Sequence, residues 1–192
     1  MSENSENQSS ASSAEQLFEE LLQAQARQKL PPVESWHPER SGAIDIRVAR
    51  DGSWYHEGEP IRREAMVRLF STILRRDGDD YFLVTPAERL AIEVEDAPFL
   101  AVALERDGAG EDQRLLLTTN VGDHVLVDAA HPLHVEERDG EPAPYVLVRA
   151  GLHALINRAT FYRLVELAEP SSDDAELVGV RSAGTFFPLG RI

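Results

Sequence analysis

The chain has no cysteine. That removes disulfides, thiolate metal sites and cysteine nucleophiles at once, and leaves the fold to be held by packing and noncovalent ties. Lysine is nearly missing as well. Lys29 is the sole one among 19 basic residues, so the other 18 (19 less 1) are arginines. Arginine forks suit carboxylate and phosphate recognition, although a genomic composition bias produces the same imbalance. No apolar run approaches the ~20 residues of a membrane-crossing helix. The polar, acidic start from Met1 to Ser13 lacks the charged-then-apolar form of a secretory signal. A formal net charge of -15 works against binding to nucleic-acid phosphates or anionic lipid. These absences predict a cytoplasmic protein that engages neither nucleic acid nor membrane.

What is present is 192 residues, 42% of them hydrophobic, enough for one large domain or two small ones. Residues 1–13 read as a disordered tail. Ser13-Ala14-Glu15-Gln16 has capping-box form, and Leu17, Phe18, Leu21 and Leu22 make an apolar stripe, so a helix is expected within 14–30, ended by Pro31-Pro32. It docks on its own chain or on a partner, the former being the plainer reading. Residues 36–96 and 97–192 read as two domains. In the first, Ile44–Val48 alternates as a strand, Asp51-Gly52 is a hairpin turn, and Ser53–His56 returns. A helix is predicted over 61–76, and Thr85-Pro86-Ala87-Glu88 predicts a single helical turn. The middle reads as short strands at 91–95, 99–105, 114–119 and 124–127. Strands at 145–149 and 152–156, a helix near 158–168 and closing strands at 177–180 and 185–189 follow.

The pattern repeats. Ile61-Arg62-Arg63-Glu64-Ala65-Met66-Val67-Arg68-Leu69 aligns without gaps on Ile156-Asn157-Arg158-Ala159-Thr160-Phe161-Tyr162-Arg163-Leu164, with four identities. Each copy follows a hairpin and precedes a loop and strand. This predicts an internally duplicated α+β fold with a strand hairpin–helix–strand cassette in each half. On a helical wheel Arg63 and Arg158 flank the apolar face in the first turn, while Arg68 and Arg163 point to solvent. A cation in the first turn opposes the helix dipole, so Arg63 and Arg158 need a partner: a carboxylate of the other half, or a bound anion.

Chemistry-bearing motifs are scarce. No Gly-x-Ser-x-Gly elbow, phosphate-binding Gly-Lys loop or dinucleotide fingerprint occurs. His131-Pro132-Leu133-His134 is the nearest approach to a metal spacing and lacks further ligands, so no metal and no cofactor are expected. Acid pairs such as Asp45 with Asp51 or Glu95 with Asp96 are unsurprising in a chain with 34 acidic residues. The set that stands out lies at turns and helix starts. Arg50, Arg63, Arg149 and Arg158, with the rings of Trp54 and Tyr162, would line a cleft if the halves pack face to face. Thr119, Asn120 and Asn157 would add polar contacts. The alternative is that the rings are core and the arginines are paired with the abundant acids.

Ile44-Asp45-Ile46-Arg47 with Arg50-Asp51-Gly52-Ser53-Trp54 resembles the opening of the bacterial domain of unknown function 1285 family. Val84-Thr85-Pro86, Val94–Phe99, Thr119–Asp123, His131-Pro132-Leu133, Val148–Leu152, the Ile156–Leu164 helix start and Gly184–Leu189 extend the resemblance over residues 36–190. It implies a two-part duplicated fold whose C-terminal half is a small PH-like β-barrel capped by a helix. It assigns no enzymatic activity or catalytic residue. It implies a ligand site between the two parts, with a nucleotide-based ligand and a role in signal transduction. Three readings stand: a non-catalytic protein binding a small anion between the repeats, a protein-interaction adaptor without a small ligand, and a hydrolase using the acid pairs. Oligomeric state is left open.

Overall fold

The computed structural model describes residues 3–138 and 140–192, with side chains from Glu15 onward. Among the described residues three helices and fifteen strands succeed one another as α1 (Glu3–Arg27), β1 (Arg40–Val48), β2 (Trp54–His56), β3 (Glu59–Pro60), α2 (Glu64–Thr72), β4 (Leu74–Asp77), β5 (Asp80–Val84), β6 (Glu88–Val94), β7 (Phe99–Asp107), β8 (Arg114–Thr119), β9 (His124–Leu126), β10 (Leu133–Arg138), β11 (Glu141–Arg149), β12 (Leu152–Ile156), α3 (Arg158–Glu166), β13 (Glu169–Pro170), β14 (Leu177–Ser182) and β15 (Thr185–Arg191). Short 3-10 turns cover Val33–Ser35 and Gly110–Asp112. Among the described residues no helix is long and apolar enough to cross a membrane.

The fold is α+β and its two six-stranded sheets share one plan. The first runs β3-β2-β1-β6-β5-β4 and the second β10-β11-β12-β7-β8-β9. In each, two antiparallel three-strand meanders are joined by the first and last strands, which lie side by side and parallel. A third sheet, β13-β14-β15, follows α3. Both helices follow a hairpin, as the cassette predicts. The nine-residue match nevertheless does not superimpose the sheet plans: α2 links the third and fourth strands of its sheet, whereas α3 leaves the last strand of the second.

One continuous core joins the three sheets, from Ile46, Val48 and Trp54 through Phe99, Leu115 and Leu117 to Val180 and Phe187. β8 is buried on both faces, since Leu115, Leu116 and Leu117 are all inaccessible; such strands read as unbroken apolar runs. α1 docks on its own chain. Phe18 is buried with the Arg114 guanidinium 4.8 Å from its ring centroid, and Gln25 Oε1 accepts from His124 N at 2.8 Å. The helix begins at Glu3, upstream of the expected start, and so takes in most of the stretch read as a tail; Met1 and Ser2 lie outside the described residues.

Four other differences have identifiable causes. The helix predicted over 61–76 stops at Thr72, because Leu74–Asp77 pairs antiparallel with β5 across a turn at Gly78, so strand pairing overrides helical periodicity. Ile61, Val67, Phe70 and Ile73 pack on the core, while the apolar side chains of Met66 and Leu69 on the same helix are exposed. The Thr85 hydroxyl accepts from the N–H groups of Ala87 and Glu88, as in a helix start, but the chain then enters β6. The edge strand β10 and the opening of β11 were not predicted. Their Glu136-Glu137-Arg138 and Pro142-Ala143-Pro144 sequences lack the apolar alternation of a half-buried strand.

Candidate functional site

The two halves are tied by arginines meeting acceptors across the junction. Arg149 donates through Nη1 to Asp123 Oδ2 at 2.5 Å and through Nη2 to Ser71 O at 2.8 Å. Its guanidinium lies 4.9 Å from the Phe99 ring centroid. Asp96, in the link between the sheets, has a side chain only 2% exposed. Its Oδ1 accepts from Arg138 Nη1 at 2.6 Å and from the Tyr145 hydroxyl at 2.7 Å. Its Oδ2 lies 3.2 Å from Arg50 Nε without hydrogen-bond alignment, so that contact is one of charge. Asn120 completes the junction: its Oδ1 accepts from Leu100 N and its Nδ2 donates to Gly52 O. Gly52 sits at φ +84, and a Cβ there would stand 2.7 Å from Asn120 Nδ2, so both conformation and space call for glycine.

The predicted site residues divide. Arg50, Asn157, Arg158 and Tyr162 converge on one open pocket of about 370 Å³ whose floor is Pro142, Pro144, Leu155 and Phe161. Arg50 comes from the turn after β1, and the other three from the start of α3. Asn157 caps that helix, its Oδ1 accepting from Thr160 N at 2.8 Å. Asn157→Ala is expected to cost about 1 kcal/mol, the usual effect of losing such a cap, readable by urea denaturation. Arg158 donates through Nε to the Tyr162 hydroxyl at 2.8 Å, and that bond raises its pKa further above the usual arginine value. The guanidinium lies 5.4 Å from the half-exposed Tyr162 ring. Glu141 also stands on the rim.

Trp54 and Asn120 line a different cavity of about 190 Å³, between α2 and the 120–121 turn. Trp54 is buried and stacks on Phe70 at 6.2 Å between centroids, so it is a core ring and not a plate beside Tyr162. Arg68, predicted to face solvent, lines that cavity instead of Arg63. Arg63 stands at the N-cap position of α2, its exposed side chain making no capping bond, and it lines neither pocket. Thr119 is buried, its hydroxyl accepting from Asp123 N at 3.0 Å. Arg149 serves the Asp123 tie. The cross-half ion pair expected of Arg63 and Arg158 is made instead by Arg138 with Asp96, and Arg149 reaches the first half through Ser71 O. In the sequence Asp96 stands out only as part of an acid pair and Asp123 only within a family-like segment; what marks them is burial, which neither spacing nor composition reveals.

One acid of each pair is engaged locally. Glu95 accepts from Arg50 N at 3.0 Å and from the Arg47 guanidinium, and these hold its carboxyl below the usual range. Asp51 accepts from Ser53 N at 2.9 Å, which lowers its pKa likewise. His131 turns back to Asp128 at 3.1 Å, whereas His134 stacks on Tyr145. Among the described residues no group of three or more histidines and carboxylates is arranged to hold a metal ion.

Family models match nearly the whole body of the chain. The DUF1285 N-terminal domain model covers residues 31–97 and the DUF1285 C-terminal domain model residues 98–189. The chain belongs to the DUF1285 family. The boundary between the two models falls between Ala97 and Pro98, one residue past the Asp96 hub, so each contains one of the six-stranded sheets. The crystal structure of a DUF1285 protein from Silicibacter pomeroyi DSS-3 is 47% identical, has a TM-score of 0.81, and matches over 90% of this chain and 95% of that one. A second DUF1285 structure, from Shewanella baltica OS155, is 29% identical with a TM-score of 0.50, over 63% of this chain and 90% of that one. No curated protein matches this DUF1285 chain.

Proposed function

We propose that this chain is a non-catalytic binding protein whose ligand, a small anion carrying a planar group such as a nucleotide, sits in the pocket between the Arg50 turn and the start of α3. The observation that carries the reading is convergence: cations from both halves, Arg50 and Arg158, face one open pocket beside the exposed Tyr162 ring. Guanidinium forks meet carboxylate or phosphate oxygens, and an aromatic face accepts a planar group. The first N–H groups of α3 add partial positive charge on the same side. Asp96 holds Arg50 by its Nε, so the two terminal nitrogens can turn to a ligand. Because the pocket joins the halves, occupancy would tighten their junction, which is how a cytoplasmic signalling role would be read out. The second sheet, with α3 and the third sheet against it, would serve as the PH-like framework of the site.

A thermal-shift screen against nucleoside mono-, di- and triphosphates tests this. Ligand at about 100 times its Kd stabilises by about 2.7 kcal/mol, which raises Tm by about 5–10 °C in a chain of this size. Arg158→Ala and Arg50→Ala are expected to abolish the shift, and Arg163→Ala to leave it intact. A flat screen, or a shift that survives Arg158→Ala, removes the proposal.

A further inference from the structure

The cavity of about 190 Å³ beside α2 is built from both halves of the chain. Trp54, Ile61 and Val67 of the first half and Val121 of the second give it an apolar wall. Two charged side chains join them, Glu64 and Arg68, one turn apart on α2. The volume is room for about six waters at ~30 Å³ each. It falls short of the ~300 Å³ at which pockets for drug-sized ligands begin.

Glutamate followed by arginine four residues on is the favourable order for an ion pair along a helix. Glu64 and Arg68 stand in that order and do not meet. Among the described residues neither charged end has a hydrogen-bond or ion-pair partner, whereas Arg75 and Arg76 of the next strand each hold a carboxylate. The Arg68 guanidinium reaches over to the second half, where a Cβ on Gly122 would stand 3.5 Å from its Nη2. That places it at the turn which Gly122 N closes on Thr119 O at 3.0 Å. Trp54 of the wall carries a buried indole N–H that also has no acceptor among the described residues. An uncommitted anion, an uncommitted cation and an apolar wall thus share one small cavity.

We propose that this cavity binds a free α-amino acid with a branched aliphatic side chain. The ligand carboxylate meets the Arg68 guanidinium, the ligand ammonium meets the Glu64 carboxylate, and the side chain lies on the apolar wall. Two parallel N–H groups of a guanidinium match the two oxygens of a carboxylate. The ligand sets its two charges between side chains that do not pair with each other, so each acquires a partner. A zwitterion has no net charge, and the formal charge of -15 on the chain does not repel it. A nucleotide exceeds the cavity and brings no ammonium for Glu64, which separates this site from the pocket at the start of α3.

The test is a titration of the full chain with L-leucine, L-isoleucine and L-valine, followed through the arginine Nε–H and tryptophan indole resonances. Saturable movement at Arg68 and Trp54 is expected, with Arg50 and Arg158 unmoved. 4-Methylpentanoate is leucine without its ammonium, and is expected to bind about tenfold more weakly, the effect of losing one charge-assisted hydrogen bond. Glycine keeps both charges and lacks the side chain, and should also fall by about tenfold or more. Glu64→Gln is expected to weaken leucine to the level of 4-methylpentanoate and not to weaken 4-methylpentanoate itself. Arg68→Gln is expected to weaken both. Both positions are exposed, and an unchanged Tm without ligand confirms that the variants fold. Arg158→Ala is expected to leave leucine binding intact, so this site and the proposed nucleotide pocket fail independently. No saturable movement with any of the three amino acids, equal affinity for leucine and 4-methylpentanoate, a gap between them that survives Glu64→Gln, or loss of leucine binding in Arg158→Ala would overturn the proposal. Glycine binding as tightly as leucine would overturn the assignment to an aliphatic side chain.

Discussion

Arg149→Ala is expected to destabilise the protein by about 3 kcal/mol, at the lower end of the range for removing one member of a buried ion pair. The variant leaves Asp123, whose side chain is 3% exposed, without its cation. It also strips Ser71 O of a donor and Phe99 of the guanidinium packed on its ring. Gln28 Nε2 still donates to Asp123 Oδ1 at 3.2 Å and the arginine itself is one-fifth exposed, which keeps the cost from the top of the range. At a few degrees per kcal/mol, Tm should fall by about 6–12 °C. Arg149→Lys should recover little, because a single ammonium cannot reach a carboxylate and a carbonyl with the spread of a guanidinium. Urea denaturation reads the loss. A variant within about 0.5 kcal/mol of the parent, the usual scatter of surface substitutions, would show that this contact does not join the halves.

Trp54→Ala is expected to cost more, about 3–5 kcal/mol, as for other large aromatic residues removed from a packed core. Trp54 is 2% exposed, stacks on Phe70 and touches the core that runs between the sheets. Its indole N–H has no acceptor among the described residues, so Trp54→Phe loses packing volume and no hydrogen bond, and should be much milder. The pair of variants separates two roles for the ring. A ligand-stacking plate would lose binding and keep stability in both. A core ring loses stability in proportion to the volume removed.

The hairpin at Asp51-Gly52 and the helix start at Asn157 were legible because turn and cap chemistry is local: a glycine at φ +84 and an asparagine accepting from Thr160 N follow from a few adjacent residues. The duplicated architecture was legible through element order. The sharing of one plan by the two sheets was not, because it is carried by parallel pairs between strands distant in sequence, β1 with β6 and β7 with β12. The Ile61 and Ile156 segments match in residues, yet they leave their sheets at different strands. The candidate site was legible in part. Arg50, Asn157, Arg158 and Tyr162 meet because all lie at a turn or a helix start on one side of the junction. Arg63 and Arg68 show the limit of a helical wheel: it orders directions around an axis but does not say against which neighbour the helix rests. Asp96 and Asp123 are two acids among 34, distinguished only by burial beneath arginines of another element.

The most direct measurement of the central claim is a titration with adenosine 5′-monophosphate, followed through the arginine Nε–H and tryptophan indole resonances of the labelled protein. Joint, saturable movement of the Arg50 and Arg158 signals, with Arg163 and the Trp54 indole unmoved, is the predicted result. Movement confined to Arg68 and Trp54 would place the ligand in the cavity beside α2, and no saturable movement at Arg50 and Arg158 would contradict the account.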